Sequence, residues 1–118
     1  MKTFRFLDFS VYIRARALYK EVLRVTELMR DFALKDQARR AALSIILNIA
    51  EGSAKKSDRE FSRFLQIALG SVNELYACLD AMKENKLVSE SNFRRLEIEC
   101  EEIAKQLGGF SKKLRVNC

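Results

Sequence analysis

Residues 57–82 read SDREFSRFLQIALGSVNELYACLDAM, and their apolar seam falls at Phe61, Leu65, Ala68, Val72, Leu75, Leu79 and Met82. Alternating steps of four and three keep all of these on one face of an α-helix, whereas a strand would alternate at every second residue. Ser57 followed by Glu60 forms a capping box that opens this helix. Three further segments carry the same period: Val11, Ala15, Leu18, Val22, Val25 and Met29; Ala38, Ala42, Ile45 and Ile49; and Phe93, Leu96, Cys100, Ile103, Leu107, Phe110 and Leu114. Four helices, at approximately 8–29, 36–52, 57–84 and 89–115, with short connections between them predict an all-α, antiparallel up-down four-helix bundle. It forms a single domain over residues 1–118. Asp8, Asp36 and Ser89 are the expected caps of the first, second and fourth helices, and Gly52 suits a left-handed residue closing the second. The Gly108-Gly109 pair is expected to kink or fray the fourth.

The chain of 118 residues has four Gly and no Pro, Trp or His. So few turn formers exclude a β-rich fold. Without His there is no Ser-His or Cys-His catalysis and no His-ligated metal. No glycine-rich phosphate loop or activated nucleophile takes their place, so the reading is a non-enzyme with neither metal nor cofactor. Cys78, Cys100 and Cys118 are odd in number and lack C-x-x-C spacing, as expected of reduced thiols. Arg5 and Asp8 interrupt the stretch where a signal peptide would be apolar, and no apolar run approaches about 18 residues. A soluble, cytoplasmic protein with no membrane partner is expected.

The net charge of +6 is unevenly placed: residues 1–65 hold 14 Lys/Arg against 8 Asp/Glu, and residues 66–118 hold 8 against 8. Lys55, Lys56, Arg59 and Arg63 crowd the entrance to the third helix, where unpaired N–H groups and the helix dipole favour an anion such as phosphate. Arg16, Lys20 and Arg24 follow at four-residue steps on the outer face of the first helix. These seven are the candidate phosphate contacts to RNA or DNA. No interleaving of aromatic with basic residues along the sequence points to base stacking. The basic tail Lys112, Lys113 and Arg115 is accounted for by the C-terminal helix dipole.

The second helix is apolar beyond one stripe. Leu43, Leu47, Ala50 and Ala54 make a second row, with Ile46 between the two, and a single bundle seam cannot cover both. Leu43, Ile46, Leu47 and Ala50 are therefore the expected interface of a homo-oligomer. A polar line also runs along this helix through Gln37, Arg40, Ser44, Asn48 and Glu51, answered on the third helix by Gly70, Ser71 and Glu74. Arg40, Ser44, Asn48, Glu51, Ser71 and Glu74 are expected to form a semi-buried structural network, with Gly70 letting the backbones approach closely. The competing reading is a small carboxylate site for a divalent metal, which lacks the Glu-x-x-His pairs of di-metal bundles.

The stretch from Gln37 to Gly52, QARRAALSIILNIAEG, followed by Ser57, Glu60-Phe61, Phe64-Leu65, Ala68, Gly70-Ser71 and Glu74-Leu75, resembles the four-helix-bundle family named after intervening sequences in 23S ribosomal RNA genes. The resemblance runs from Phe6-Leu7 to the last helix. It implies a left-handed bundle assembling as a homopentamer, encoded in some bacteria within insertions excised from the ribosomal RNA precursor. Five copies at +6 would carry +30. In architecture the chain is also similar to the accessory variability proteins of diversity-generating retroelements, which implies a reverse transcriptase or another nucleic-acid-processing protein as a possible partner. Members of the family often place a Pro between the first two helices; this chain has Met29 to Asp36 without one. The rival to a nucleic-acid-binding pentamer is an oligomeric scaffold that binds only protein, and the third reading is a carboxylate-metal enzyme.

Overall fold

The computed structural model describes residues 3–116. They form a 3-10 turn (Arg5–Asp8) and four α-helices: α1 (Ser10–Thr26), α2 (Phe32–Ser53), α3 (Asp58–Glu84) and α4 (Glu90–Val116). Cross-helix hydrogen bonds fix the directions. Ser44 meets Ser71 while Gln37 meets Glu74; Ser62 meets Ser111 while Tyr76 meets Glu97; Arg24 meets Asn92 while Arg14 meets Glu99. Numbers that rise along one helix fall along its neighbour, so consecutive helices are antiparallel. α1 and α3 each pack on α2 and α4, which makes α1 and α3 the diagonal pair of a rod 45 × 24 × 21 Å in extent.

Every member of the four apolar seams is buried except Val25 and Phe110, which are half-buried. In each case the next residue is the buried one, and it is a hydroxyl: Thr26 at 1% exposure and Ser111 at 0%. A buried hydroxyl left unbonded costs about 1–3 kcal/mol, and both are satisfied. Thr26 Oγ1 donates to the Val22 carbonyl at 2.7 Å and accepts from Arg39 Nε at 2.9 Å. Ser111 Oγ lies 2.6 Å from Ser62 Oγ and accepts from Gln66 Nε2 at 2.8 Å, pinning α3 to α4.

The starts of two helices differ from the sequence expectation. α2 begins at Phe32, one turn early, because Asp31 rather than Asp36 caps it: Asp31 Oδ1 accepts from Leu34 N–H at 3.0 Å. Asp36 lies inside the helix and pairs with Arg40 at 2.9 Å. α1 begins at Ser10 with Phe9 at its cap position and no side-chain cap, and Asp8 ends the 3-10 turn instead. Ser57 and Ser89 cap α3 and α4 as expected, accepting from the N–H groups of Glu60 and Asn92. The reversal from α1 to α2 needs no proline, because Met29 N–H closes on the Thr26 carbonyl at 3.1 Å and Lys35 Nζ donates to the Glu27 carbonyl at 2.9 Å.

The glycines play roles other than those expected. No glycine has positive φ; the left-handed residue is Lys86, φ 56°, where Leu87 N–H reaches back to the Met82 carbonyl at 2.8 Å to close α3. Gly52 lies within α2, and a Cβ there would sit 2.7 Å from Phe64 Cβ and 2.9 Å from Phe61 Cδ1, so it is the close approach of α3 that requires glycine. Gly70 has nothing within 4 Å of that position and permits no close approach. Gly108 and Gly109 sit within α4, which continues to Val116. Gly52→Ala is expected to destabilise the fold by about 1–3 kcal/mol through overpacking, and Gly70→Ala to stabilise it by up to about 1 kcal/mol. Urea denaturation of both variants checks this, and equal midpoints for the two would contradict it.

Candidate nucleic-acid interface

The last turn of α2 is held by an arginine from the start of the chain. Arg5 donates from Nε and Nη2 to the Ser53 carbonyl at 3.2 and 3.0 Å, satisfying a helix end whose carbonyls lack partners and carry partial negative charge. Its guanidinium lies 5.8 Å from the Phe9 ring centroid and 5.4 Å from that of Phe61. Phe9, Phe61 and Phe110 pack mutually at 5.1–6.1 Å, closing this end of the core. Beyond Ser53 the chain turns through Ala54–Ser57, with Lys55 Nζ 4.9 Å from the Phe64 ring centroid, and enters α3. Lys56, Arg59 and Arg63 are exposed.

Antiparallel packing brings a further cationic segment to the same end. The buried Ser62–Ser111 contact places the C-terminus of α4 beside the start of α3, and with it the exposed Lys112, Lys113 and Arg115. The segments 3–10, 51–63 and 108–116 together hold eight cations, Arg5, Lys55, Lys56, Arg59, Arg63, Lys112, Lys113 and Arg115, against four carboxylates, Asp8, Glu51, Asp58 and Glu60. At the opposite end, segments 24–36 and 80–94 hold six of each sign. The excess of four at this end is thus drawn mainly from the α4 tail, which adds three cations to segments 3–10 and 51–63, where five cations face four carboxylates.

Ion pairing accentuates the difference. Among the described residues the ion pairs are Arg14–Glu99, Arg24–Glu21, Arg39–Glu27, Arg40–Asp36, Arg94–Glu97 and Arg95–Glu21. None involves a cation of the basic end. Arg39 is consumed differently again: its Nη2 donates to the Leu23 carbonyl at 3.1 Å, so it closes the C-terminus of α1 as Arg5 closes that of α2.

The predicted row on α1 divides. Arg16 is exposed and stands 5.7 Å from the Tyr12 ring centroid, and Lys20 is exposed. Arg24 is engaged by Glu21 at 3.0 Å and by Asn92 at 3.3 Å; these Arg24 hydrogen bonds hold the Glu21 carboxyl below its ordinary range and raise Arg24. Because α1 and α3 are diagonal, the α1 row and Arg59 and Arg63 belong to different sides of the bundle. The structure gathers Lys55, Lys56, Arg59 and Arg63 with Arg5 and the α4 tail; Arg16 adjoins the 3–10 segment through the Tyr12 ring, which packs on Phe6 at 4.9 Å, and Lys20 and Arg24 lie further along α1.

Between α2 and α3, Ser44 Oγ lies 2.8 Å from Ser71 Oγ, and Asn48 Nδ2 donates to the Ser44 carbonyl and Oγ at 2.9 and 3.0 Å. Gln37 donates to Glu74 at 3.1 Å. Arg40 is drawn away to Asp36, and Glu51 is exposed with no side-chain hydrogen bond among the described residues. Next to this line Leu43 and Leu47 are 37% and 53% exposed, Ala50 is half-buried, and Ile46 is covered by the chain's own helices at 8%; Ile67 on α3 is 43% exposed. No group of three Cys, Asp or Glu able to hold a metal converges among the described residues.

A groove of about 310 Å³ between α3 and α4 is lined by Val72, Asn73, Tyr76, Cys100, Glu101 and Ala104. Tyr76 donates to Glu97 Oε2 at 2.6 Å, and that hydrogen bond holds its proton up to about 12. Burial pushes the Cys100 thiol up to about 12 and, with Glu74 beside it, raises Cys78. Thiols so held are poor nucleophiles. Cys118 lies outside the described residues. None of the described helices is long and apolar enough to cross a membrane.

Residues 7–109 match the 23S rRNA-intervening sequence protein family. The chain belongs to that family. No curated protein matches it. A crystal structure of a protein of unknown function from the S23 ribosomal protein family of Bacteroides thetaiotaomicron is similar over 86% of this chain and 98% of its own, with 22% identity and a TM-score of 0.82. At that identity the likeness is one of fold. It agrees with the four-helix bundle that the sequence predicts for this family member.

Residues that carry the basic end and that the sequence reading did not assign to it are Arg5, Lys112, Lys113 and Arg115. The signal for the α4 cations was present in the antiparallel topology, which places the last turn of the fourth helix beside the first turn of the third. Tyr76 and Cys100 supply a test of the α3–α4 packing. Both are acids whose proton is retained more tightly in the fold, so their stabilising contribution is full below their ordinary values of 10.0 and 9.0 and is lost as pH rises through about 12. Urea midpoints are expected to fall over that interval, and Tyr76→Phe to make the fall shallower; a Tyr76→Phe curve parallel to the parent would contradict the assignment.

Proposed function

We propose that this protein is a non-enzymatic homo-oligomer that binds RNA or DNA by its phosphate backbone, through the end of the bundle formed by the 3-10 turn, the α2–α3 turn and the C-terminus of α4. The observation that carries the reading is the segregation of charge: eight cations against four carboxylates at one end, none of the eight in an ion pair among the described residues, while the pairs lie along the shaft and at the other end. Unpaired exposed cations concentrated in one place attract a polyanion and release its counterions on contact. Such contacts position a nucleic acid without reading its bases.

Self-association is supported by the exposed leucines of α2 and by Ile67, a line of apolar side chains next to small polar groups that are already mutually bonded. In a closed ring, equivalent ends of all subunits lie on the same face, so the basic ends add into one surface. The resemblance to pentameric bundles supports five as the number of copies.

Two measurements test these statements. In salt titrations with labelled structured RNA and duplex DNA, the affinity is expected to fall steeply with salt. The double variant Lys55→Glu/Lys56→Glu should weaken it and lower the log–log slope by about two, and Arg30→Glu/Lys86→Glu at the other end should leave it unchanged. Absence of binding at low salt sinks the reading and leaves a protein-binding scaffold. Leu47→Glu is expected to reduce the mass in solution from a multiple of 13.6 kDa towards the single chain; an unchanged mass with intact helicity removes α2 as the interface.

A further inference from the structure

We propose that the basic end takes unpaired nucleotides, with the ring of Phe4 as a platform on which a base stacks. The proposal rests on the phosphate-binding reading above and adds the class of strand. Phe4 is 62% exposed. The Phe6 ring meets it edge to face, with centroids 6.2 Å apart and planes at 63°, and no ring is stacked parallel on Phe4 among the described residues. Burial elsewhere in the chain takes up most large apolar rings, so an aromatic left facing solvent costs hydrophobic stabilisation unless something covers it.

The backbone that carries the ring is held in place. Its carbonyl accepts from Leu7 N–H at 3.2 Å within the 3-10 turn, and the following residue is Arg5, locked by two hydrogen bonds to the Ser53 carbonyl. Phe4 is therefore one residue from that junction along one strand of chain, and Lys55 is two residues from it along the other. The aromatic-with-basic pairing that the linear sequence lacks is assembled by the fold. An exposed ring on an anchored turn near unpaired cations is the combination that binds single strands with little regard to sequence, since every base has a face to stack. The bases of a duplex are already stacked on one another, so a duplex can use the cations and not the ring.

The experiment compares a labelled unstructured 12-mer, as oligo-U and as oligo-dT, with a blunt duplex 12-mer. Phe4→Ala is expected to weaken single-strand binding by roughly ten-fold or more while leaving duplex binding and the salt slope as they were. Phe32→Ala is the control: Phe32 is a more exposed ring, at 74%, situated at the end with balanced charge, and its loss should change neither. Phe4→Trp should retain single-strand binding and show quenching of tryptophan fluorescence on addition of the strand, a clean signal because the chain has no Trp. Unaltered single-strand affinity in Phe4→Ala overturns the inference. So does equal weakening for single strand and duplex, or a change in solution mass that makes the ring a contact between subunits. If the parent protein binds neither probe at low salt, the phosphate reading itself has failed; if Lys55→Glu/Lys56→Glu weakens binding and Phe4→Ala does not, only the stacking has.

Discussion

The missing side chain at Gly52 lets the Phe61 ring and the Phe64 Cβ press against the last turn of α2, and most of what distinguishes this end of the molecule depends on that contact. A Cβ at 2.7 Å from Phe64 would push α3 outward. With α3 in place, Phe61 closes the aromatic cluster with Phe9 and Phe110, and its ring lies beneath the Arg5 guanidinium. Arg5 in turn closes the α2 carbonyl end and fixes the first turn of the chain against it. One close approach of two backbones thus positions three separate segments, and each of them brings cations.

The cations of this chain fall into two groups with different uses. Arg39 caps α1, and Arg14, Arg24, Arg40, Arg94 and Arg95 meet carboxylates, so their charge is answered within the fold. Exposed pairs of this sort contribute little to stability, typically about 0–1 kcal/mol, but they leave no field for a ligand to neutralise. Lys55, Lys56, Arg59, Arg63, Lys112, Lys113 and Arg115 have no carboxylate partner among the described residues. The net charge of +6 understates their effect, because it averages a balanced shaft with an unbalanced end.

The fold was legible in the sequence because the four apolar seams are long and nearly unbroken. They failed at Val25 and Phe110, where hydrophobicity alone picks the apolar neighbour over Thr26 and Ser111; only the cross-helix hydrogen bonds explain why a hydroxyl is buried instead. Caps were legible where Ser begins a helix and were misplaced at Asp36, since Asp31 and Asp36 offer the same local chemistry and the packing of Met29 and Lys35 decides between them. The Lys55–Arg63 cluster was visible as a run. Arg5, Phe4 and the α4 tail were not, because their neighbours are some 50 residues away in sequence and meet only once the helices have paired.

The central claim is spatial: nucleic acid contacts one end of the rod. Ultraviolet cross-linking of a bound RNA followed by mass spectrometry of the peptides reads this directly. Adducts confined to residues 3–10, 51–63 and 108–116 are the predicted result, with none in 24–36 or 80–94. Adducts spread evenly over both ends, or concentrated at the balanced one, would contradict the account.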